Sequence, residues 1–317
     1  MRKFEGEDPK SFEFKDIIYE KKDWVAKVTI NRPEVYNTYR TETLKEMSAA
    51  FEDAAHDDSV AVLVLTGAGD KAFCTGGDVA EYADSFISVP RDFVKWGKLF
   101  SQVNDQLRHL GKPTIARVNG MAVGGGNEFQ ISCDLAIAAD HAQFFQVGTS
   151  VGSVAAISCW FLPLMIGDRR SREMLLLNKR IDAKTALEWG LVNEVVPKEK
   201  LDDSVNEMAQ QLVHKFADCL RYTIQQVNYF KDQVSSALGG GAGDWLALHF
   251  TSPETHEGMT SFVEKRKPDY LKLRKLAAEG KSSEYLWGPP LRECSDCGAK
   301  GIPREFKYCG VCGKKLS

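Results

Sequence analysis

Apolar residues change their spacing several times along this 317-residue chain, and each change predicts an element. Trp24 to Ile30 reads as a short strand that ends at Asn31-Arg32-Pro33. Leu44, Met47 and Phe51 recur at helical spacing, and Thr43 with Glu46 fits a capping box, which predicts a helix over 41–55. Ala61 to Thr66 is a continuous apolar run of the buried-strand type. Phe93, Trp96, Phe100, Val103 and Leu107 step by 3 or 4 through an amphipathic helix that Lys112-Pro113 stops. Thr114 to Val118 and Asp134 to Ala139 are the next strands. Beyond about residue 160 the pattern turns helical, with Leu220, Ile224 and Val227 on one stripe and a charged helix over Asp269 to Gly280. Ser235 to Gly243, with its triple glycine, reads as a flexible connector, and Trp287-Gly288-Pro289-Pro290 marks a boundary. Strand-strand-helix units followed by a helical tail predict a layered α/β domain. The divisions expected are a core over 1–230, a helical region over 231–287 and a small module over 288–317.

Charge and composition remove several function classes. A net charge of −3 gives no electrostatic case for nucleic acid or an anionic membrane. The first residues carry no apolar signal core, and no apolar run reaches membrane-spanning length, so the expected location is cytoplasmic. Cys74, Cys133, Cys159 and Cys219 sit in apolar contexts and read as core residues of a reducing compartment. The other four cysteines form Cys294-x2-Cys297 and Cys309-x2-Cys312, separated by 11 residues and each followed by glycine. That spacing predicts a four-thiolate Zn²⁺ site, structural because its coordination is full; two disulfides are the competing reading. Lys300, Arg304, Lys307, Lys314 and Lys315 give the module a basic surface, which raises a nucleic-acid contact or a protein partner as its target.

Two glycine turns 48 residues apart carry the chemistry: Phe73-Cys74-Thr75-Gly76-Gly77-Asp78 and Gly124-Gly125-Gly126-Asn127-Glu128. Each follows an apolar run and leads towards a helix, so unpaired backbone N–H groups converge on one point. Together they make a two-donor oxyanion hole with Glu128 at its edge, suited to a thioester carbonyl. Glu128 also has a plainer reading, as a favourable partner of the helix dipole. Gly67 to Ala72 matches a dinucleotide fingerprint, but no helical period follows it. Gly148-Thr149-Ser150-Val151-Gly152 matches a serine nucleophile elbow, with Asp182 and His214 as partners in the right order. No histidine pair has helical metal spacing; His249 is singled out for its place in the tail.

With Ala72 to Asp78, Lys112 to Gly120, Gly124 to Glu128, Cys133-Asp134, Ala186 to Val192 and Val195-Val196-Pro197, the chain resembles the crotonase (enoyl-CoA hydratase/isomerase) superfamily over residues 12–275. The resemblance implies a spiral of ββα turns, a helical C-terminal trimerisation region, a trimer or a hexamer of two trimers, and a coenzyme A thioester substrate. It also assigns the oxyanion hole to the N–H groups of Gly77 and Gly125, and a catalytic carboxylate to Glu128. Gly148 stands where a hydratase has its second glutamate, which puts hydration by two carboxylates in doubt. Gln146 to Ser153 is similar to the branch containing naphthoate synthase and 2-ketocyclohexane-carboxyl-CoA hydrolase. Glu128 without that second carboxylate looks most like the 6-oxocyclohex-1-ene-1-carbonyl-CoA hydrolases, which open a ring; the cysteine module is not part of their pattern. A hydratase or dienoyl-CoA hydratase, a naphthoate-synthase-like enzyme and a non-catalytic CoA-binding scaffold are the alternatives. Cys74, Thr75, Gly148, Ser153 and His249 are the expected substrate-side residues, with Arg40 and Lys265 for CoA phosphates. The branch often carries a Tyr near Phe250, absent here.

Overall fold

A computed structural model describes residues 5–280, 291–303 and 306–316; Arg304 and the boundary expected at Trp287 to Pro290 lie outside the described residues. The chain opens with a hairpin of β1 (Ile17–Lys22) and β2 (Val25–Ile30), turning at Asp23 and Trp24, both at positive φ. The apolar pattern misses β1 because its last three residues are Glu20, Lys21 and Lys22 and its turn lacks the usual Asn-Gly signal. α1 (Thr41–His56) follows. Thr43 Oγ1 accepts the Arg40 N–H at 3.1 Å, but Glu46 is not the other half of a capping box. Its carboxylate instead accepts the N–H groups of Lys15, Asp16 and Ile17 at 2.7, 2.8 and 3.2 Å, tying β1 to the helix.

From β3 (Val62–Gly67) onward the chain repeats one unit: a strand in a large sheet, a strand in a small sheet, then helix. β3 leads to β4 (Ala72–Cys74), α2 (Val79–Ser85) and α3 (Pro90–Arg108). β5 (Thr114–Val118) leads to β6 (Met121–Val123) and α4 (Gly125–Ser132). β7 (Leu135–Ala139) leads to β8 (Gln143–Phe145), α5 (Ser158–Ile166) and α6 (Asp168–Leu177). β9 (Ile181–Asp182), α7 (Ala183–Trp189) and β10 (Glu194–Val196) close the two sheets, ordered β1-β2-β3-β5-β7-β10 and β4-β6-β8-β9. Within these two sheets every pairing apart from β1–β2 and β8–β9 is parallel, as strand-helix crossovers require. This is the ββα spiral that the resemblance implies.

β3 is buried along its whole length because both faces of the large sheet are covered, hence its unbroken apolar run. Val62, Val64, Ile115 and Ile137 pack under Leu201 and Val205 of α8 (Leu201–Val213). Leu63 and Leu65 point the other way, into the main core with Leu44, Met47 and Phe51. The tail is α9 (Ala217–His249), α10 (Pro253–Val263) and α11 (Tyr270–Ala278). No connector interrupts it: one 33-residue helix crosses both Ser235–Gly243 and the expected 230/231 division. That helix is anchored on both sides of its glycines. Asn228 donates to the Arg108 carbonyl at 2.7 Å and Asp232 pairs with Arg108, while Phe250, just past the far end, stacks on Phe93 at 3.7 Å. Those contacts override the cost of about 1 kcal/mol that each helical glycine carries. Among the described residues no helix is long and apolar enough to cross a membrane. β11 (Leu291–Arg292) and β12 (Ile302–Pro303) form a separate antiparallel pair around the C-terminal cysteines.

Candidate active site and cysteine cluster

Both glycine turns leave the same end of the small sheet. β4 and β6 are parallel neighbours, so the segments running off their C-terminal ends meet. Gly126 lies against the backbone of Cys74, and a Cβ on Gly76 would stand 3.5 Å from the Gly125 nitrogen. Gly125 opens α4, so its N–H has no helical carbonyl to donate to. Among the described residues neither that N–H nor the N–H of Gly77 has an acceptor. A side chain is excluded at both positions, since the hydroxyl of Tyr82 fills the space of a Cβ on Gly77 and the hydroxyl of Tyr39 does so at Gly125.

Glu128 sits one turn into α4, 3 % exposed, and one carboxylate oxygen accepts the N–H groups of Ile157 and Ser158 at 2.7 and 2.8 Å. Burial pushes its pKa up to about 7 even though those two N–H groups pull it down. It is therefore more than a helix-dipole partner: a carboxylate poised near neutrality beside two free N–H donors is equipped for proton transfer. Asn127 next to it is fully buried, and among the described residues neither atom of its amide has a hydrogen-bond partner. Cys74 is fully buried too, with burial holding its thiol up at about 12, so it lines the site as a neutral group. Thr75 donates to the Tyr36 carbonyl at 3.2 Å.

The third strand of the small sheet, β8, delivers the segment Gln146–Ile157 to the same end. Gln146 donates to Ser158 Oγ at 2.7 Å, and Ser153 N–H to the Gly148 carbonyl at 2.8 Å. The absent side chain at Gly148 leaves no hole. A Cβ there would lie 3.0–3.2 Å from backbone atoms of Ser153, Val154 and Ala155, so the loop has closed over the position. Beside Ile157 a cavity of about 880 Å³ opens, lined by Trp96 and Phe100 of α3, by Val154 to Ala156, and by Cys159.

The remaining expectations fare differently. Arg40 places Nε and one terminal nitrogen on Asp16 at 2.7 and 2.8 Å, a bidentate pair with a buried carboxylate that leaves the Arg40 side chain partly exposed. His249 ends α9, half-buried, next to the Phe250 that meets Tyr82 edge-on at 5.7 Å. Lys265 is exposed in the turn after α10, and among the described residues no hydrogen bond or ion pair links it to the glycine turns. The serine elbow does not assemble: Ser150 bonds to the Val147 carbonyl, Asp182 caps α7 through Thr185, and His214 faces the Gln210 carbonyl. No helix opens on Gly67 to Ala72, which turns directly from β3 into β4. Sequence reasoning missed Tyr39 and Tyr82, and it missed the N–H clamp on Glu128, contributed from 29 and 30 residues downstream. Tyr39 lies in a loop without periodicity, and only the Cβ-less turns it packs against hint at a bulky neighbour.

A model of the enoyl-CoA hydratase/isomerase family matches residues 20–272. The chain belongs to that family. Crotonase-fold structures resemble it over most of their length. An enoyl-CoA hydratase from Mycobacterium avium subsp. paratuberculosis is 26% identical, with a TM-score of 0.71, over 81% of this chain and 98% of that one. An enoyl-CoA hydratase/isomerase from Xanthobacter autotrophicus is 26% identical, with a TM-score of 0.70, over 84% and 94%. An enoyl-CoA hydratase subunit from Geobacillus kaustophilus is 31% identical, with a TM-score of 0.64, over 82% and 99%. The chain is thus an α/β crotonase-fold protein with a helical C-terminal region and an added cysteine cluster.

That cluster is built from two similar turns. Gly298 N–H donates to the Cys294 carbonyl at 2.9 Å, and Gly313 N–H to the Cys309 carbonyl at 2.8 Å. Cys294 N–H donates to the Ala299 carbonyl at 2.9 Å, and Cys309 N–H to that of Lys314 at 2.8 Å. The four sulfurs lie within 4.8 Å of one another, with 3.7 Å between Cys294 and Cys312 and between Cys297 and Cys309. A disulfide needs about 2 Å. Four thiolates held at about 2.3 Å from one tetrahedral Zn²⁺ would be roughly 3.8 Å apart. The donor set and its spacing fit that ion.

Proposed function

We propose that this chain uses a CoA-thioester oxyanion hole served by one carboxylate, and that its reaction is water addition and hydrolytic ring opening of a cyclic oxo-enoyl-CoA of the 6-oxocyclohex-1-ene-1-carbonyl type. The observation that carries the reading is Glu128, alone and poised near pH 7, with backbone in place of the second carboxylate at Gly148. Gly77 and Gly125 N–H groups hold the thioester oxygen, each worth about 3 kcal/mol at the transition state. Glu128 takes a proton from water as its oxygen bonds to the β-carbon, and the π electrons pass to the thioester oxygen as an enolate. The α-carbon is then protonated at the expense of Glu128, which regains its charge and takes a proton from a second water as that water attacks the ring ketone. The bond from that carbon to the α-carbon then breaks, leaving a carboxylate and a second thioester enolate, which takes a proton from the solvent side. The ring ketone needs no space at Gly148; the cavity beside Ile157 supplies the room.

The four C-terminal cysteines hold one structural Zn²⁺ in this reading. The exposed Phe216, just before α9, and Tyr222, Tyr229 and Phe230 on it support a self-associating helical region, as a trimer or a hexamer of two trimers. Incubation with the cyclic oxo-enoyl-CoA and with a linear enoyl-CoA, followed by mass measurement, tests the reaction. Two added waters and a new carboxylate are expected; one added water marks a hydratase, and none with either thioester marks a scaffold.

A further inference from the structure

Tyr39 touches both glycine turns. Its N–H donates to the Gly76 carbonyl at 2.9 Å and its carbonyl accepts the Asp78 N–H at 2.8 Å, a single parallel rung that straddles Gly77. Its side chain crosses to the other turn, where the hydroxyl occupies the place of a Cβ on Gly125. The ring is held in an aromatic stack, 5.4 Å from Phe100 and 6.2 Å from Trp96, with Phe129 tilted against it at 5.0 Å. Tyr82, from α2, brings a second hydroxyl to Gly77 and pairs it with that of Tyr39. Burial pushes both phenols above their ordinary range, each is further raised by the charge of Glu128, and both therefore carry their protons at neutral pH. A rigid neutral phenol beside an oxyanion hole and within the field of a carboxylate is placed to give a proton.

We propose that the Tyr39 hydroxyl is the second proton-transfer group of this site, doing the work for which Gly148 offers no side chain. The proposal rests on thioester hydration, the first step of the reading above, and not on ring opening. As the enolate collapses, the Tyr39 O–H bond breaks and its proton forms the new C–H bond at the α-carbon. The electron pair returns from the thioester oxygen to restore the carbonyl. Tyr39 is left as a phenolate and recovers a proton from the acid form of Glu128, which had taken it from water. One water is consumed and both residues return to their starting states. Tyr82 acts through Tyr39, as a positioning residue that holds its hydroxyl in line.

Tyr39→Phe keeps the ring and its stack while removing only the hydroxyl. On whichever thioester the wild type hydrates, kcat should fall by about 10²-fold, with KM within about threefold and an unchanged melting temperature. Tyr82→Phe should cost about tenfold in kcat. A packing role could slow the enzyme too, so the deciding measurement places 3-fluorotyrosine and 3,5-difluorotyrosine at position 39. Hydroxyl and stack are then retained, and kcat should change in the order of phenol acidity. A flat series, or Tyr39→Phe within threefold of wild type, overturns the proposal while leaving the hydration reading intact. A wild type that hydrates neither thioester overturns both.

Discussion

Glu128, the base proposed for this site, is also a burden on the fold. Its pKa of about 7 stands above the ordinary 4.5, so the folded state holds the proton more tightly than the unfolded chain does. The stability linked to that proton is fully present below about pH 4.5 and is lost as pH rises through about 7. Over those 2.5 units the loss amounts to roughly 3 kcal/mol. Glu128→Gln should therefore be more stable than wild type at pH 8.5, with the gap shrinking towards pH 5, because a glutamine oxygen still accepts from Ile157 and Ser158. Thermal melts at the two pH values check this; equal gaps would mean that the carboxylate is not buried as described. The same substitution should lower kcat by about 10²-fold or more, and wild-type kcat/KM should fall about tenfold per unit below pH 7 as the base is protonated. Glu128 was legible in the sequence because the glycines that place it are its immediate neighbours. What tunes it was not: burial under the folded chain and two N–H groups, of Ile157 and Ser158, neither adjacent to it in the chain.

Elements were legible where one face or both are apolar over a full element, as in β3, α1 and α3. β1 was missed for its charged end, and α9 was read as broken because three glycines weaken local helix preference without removing the contacts that hold the helix on either side of them. The loop from Gln146 to Ile157 shows the same limit at the site. Its Gly148 marks an absent side chain in the sequence, yet only packing reveals that backbone has filled the place. That loop is fixed from the tail side as well: Gly152, at φ +70°, lies against the carbonyl of Glu254 and 2.6 Å from Thr255 Cα by the position of a Cβ. Tyr270 also donates to the Ser150 carbonyl at 2.8 Å. Gly152→Ala combines a left-handed backbone with overlap against α10, so it should destabilise by about 2 kcal/mol or more. Because the loop carries the Ile157 and Ser158 donors, kcat should fall with it. Urea denaturation and turnover measured on one preparation make the check; an unchanged midpoint would show that α10 gives way without cost.

At the scale of the whole molecule, the catalytic body and the C-terminal cluster draw on different sources of stability. The body has a continuous apolar core reaching from β1 to Phe250. Among the described residues the cluster buries Cys294, Ile302, Cys309 and Leu316, with Ala299 packed beside them, and little else. So small a core cannot offset the entropy of ordering its loops, and metal ligation is the source of free energy that the four converging sulfurs make available. One Zn²⁺ per chain is therefore expected. Removing it with a strong chelator should release the segment around Cys294 to Cys312 to protease while the body keeps its fold and its acyl-CoA affinity. Cys297→Ser should reproduce the chelated state without chelator, since three thiolates leave the ion an open position and a weaker hold. Turnover should survive both treatments, because every group assigned to the reaction lies between Tyr39 and Ser158. A chain that carries no metal after purification in zinc would sink the structural role, and loss of turnover with the cluster still folded would move the metal into the chemistry.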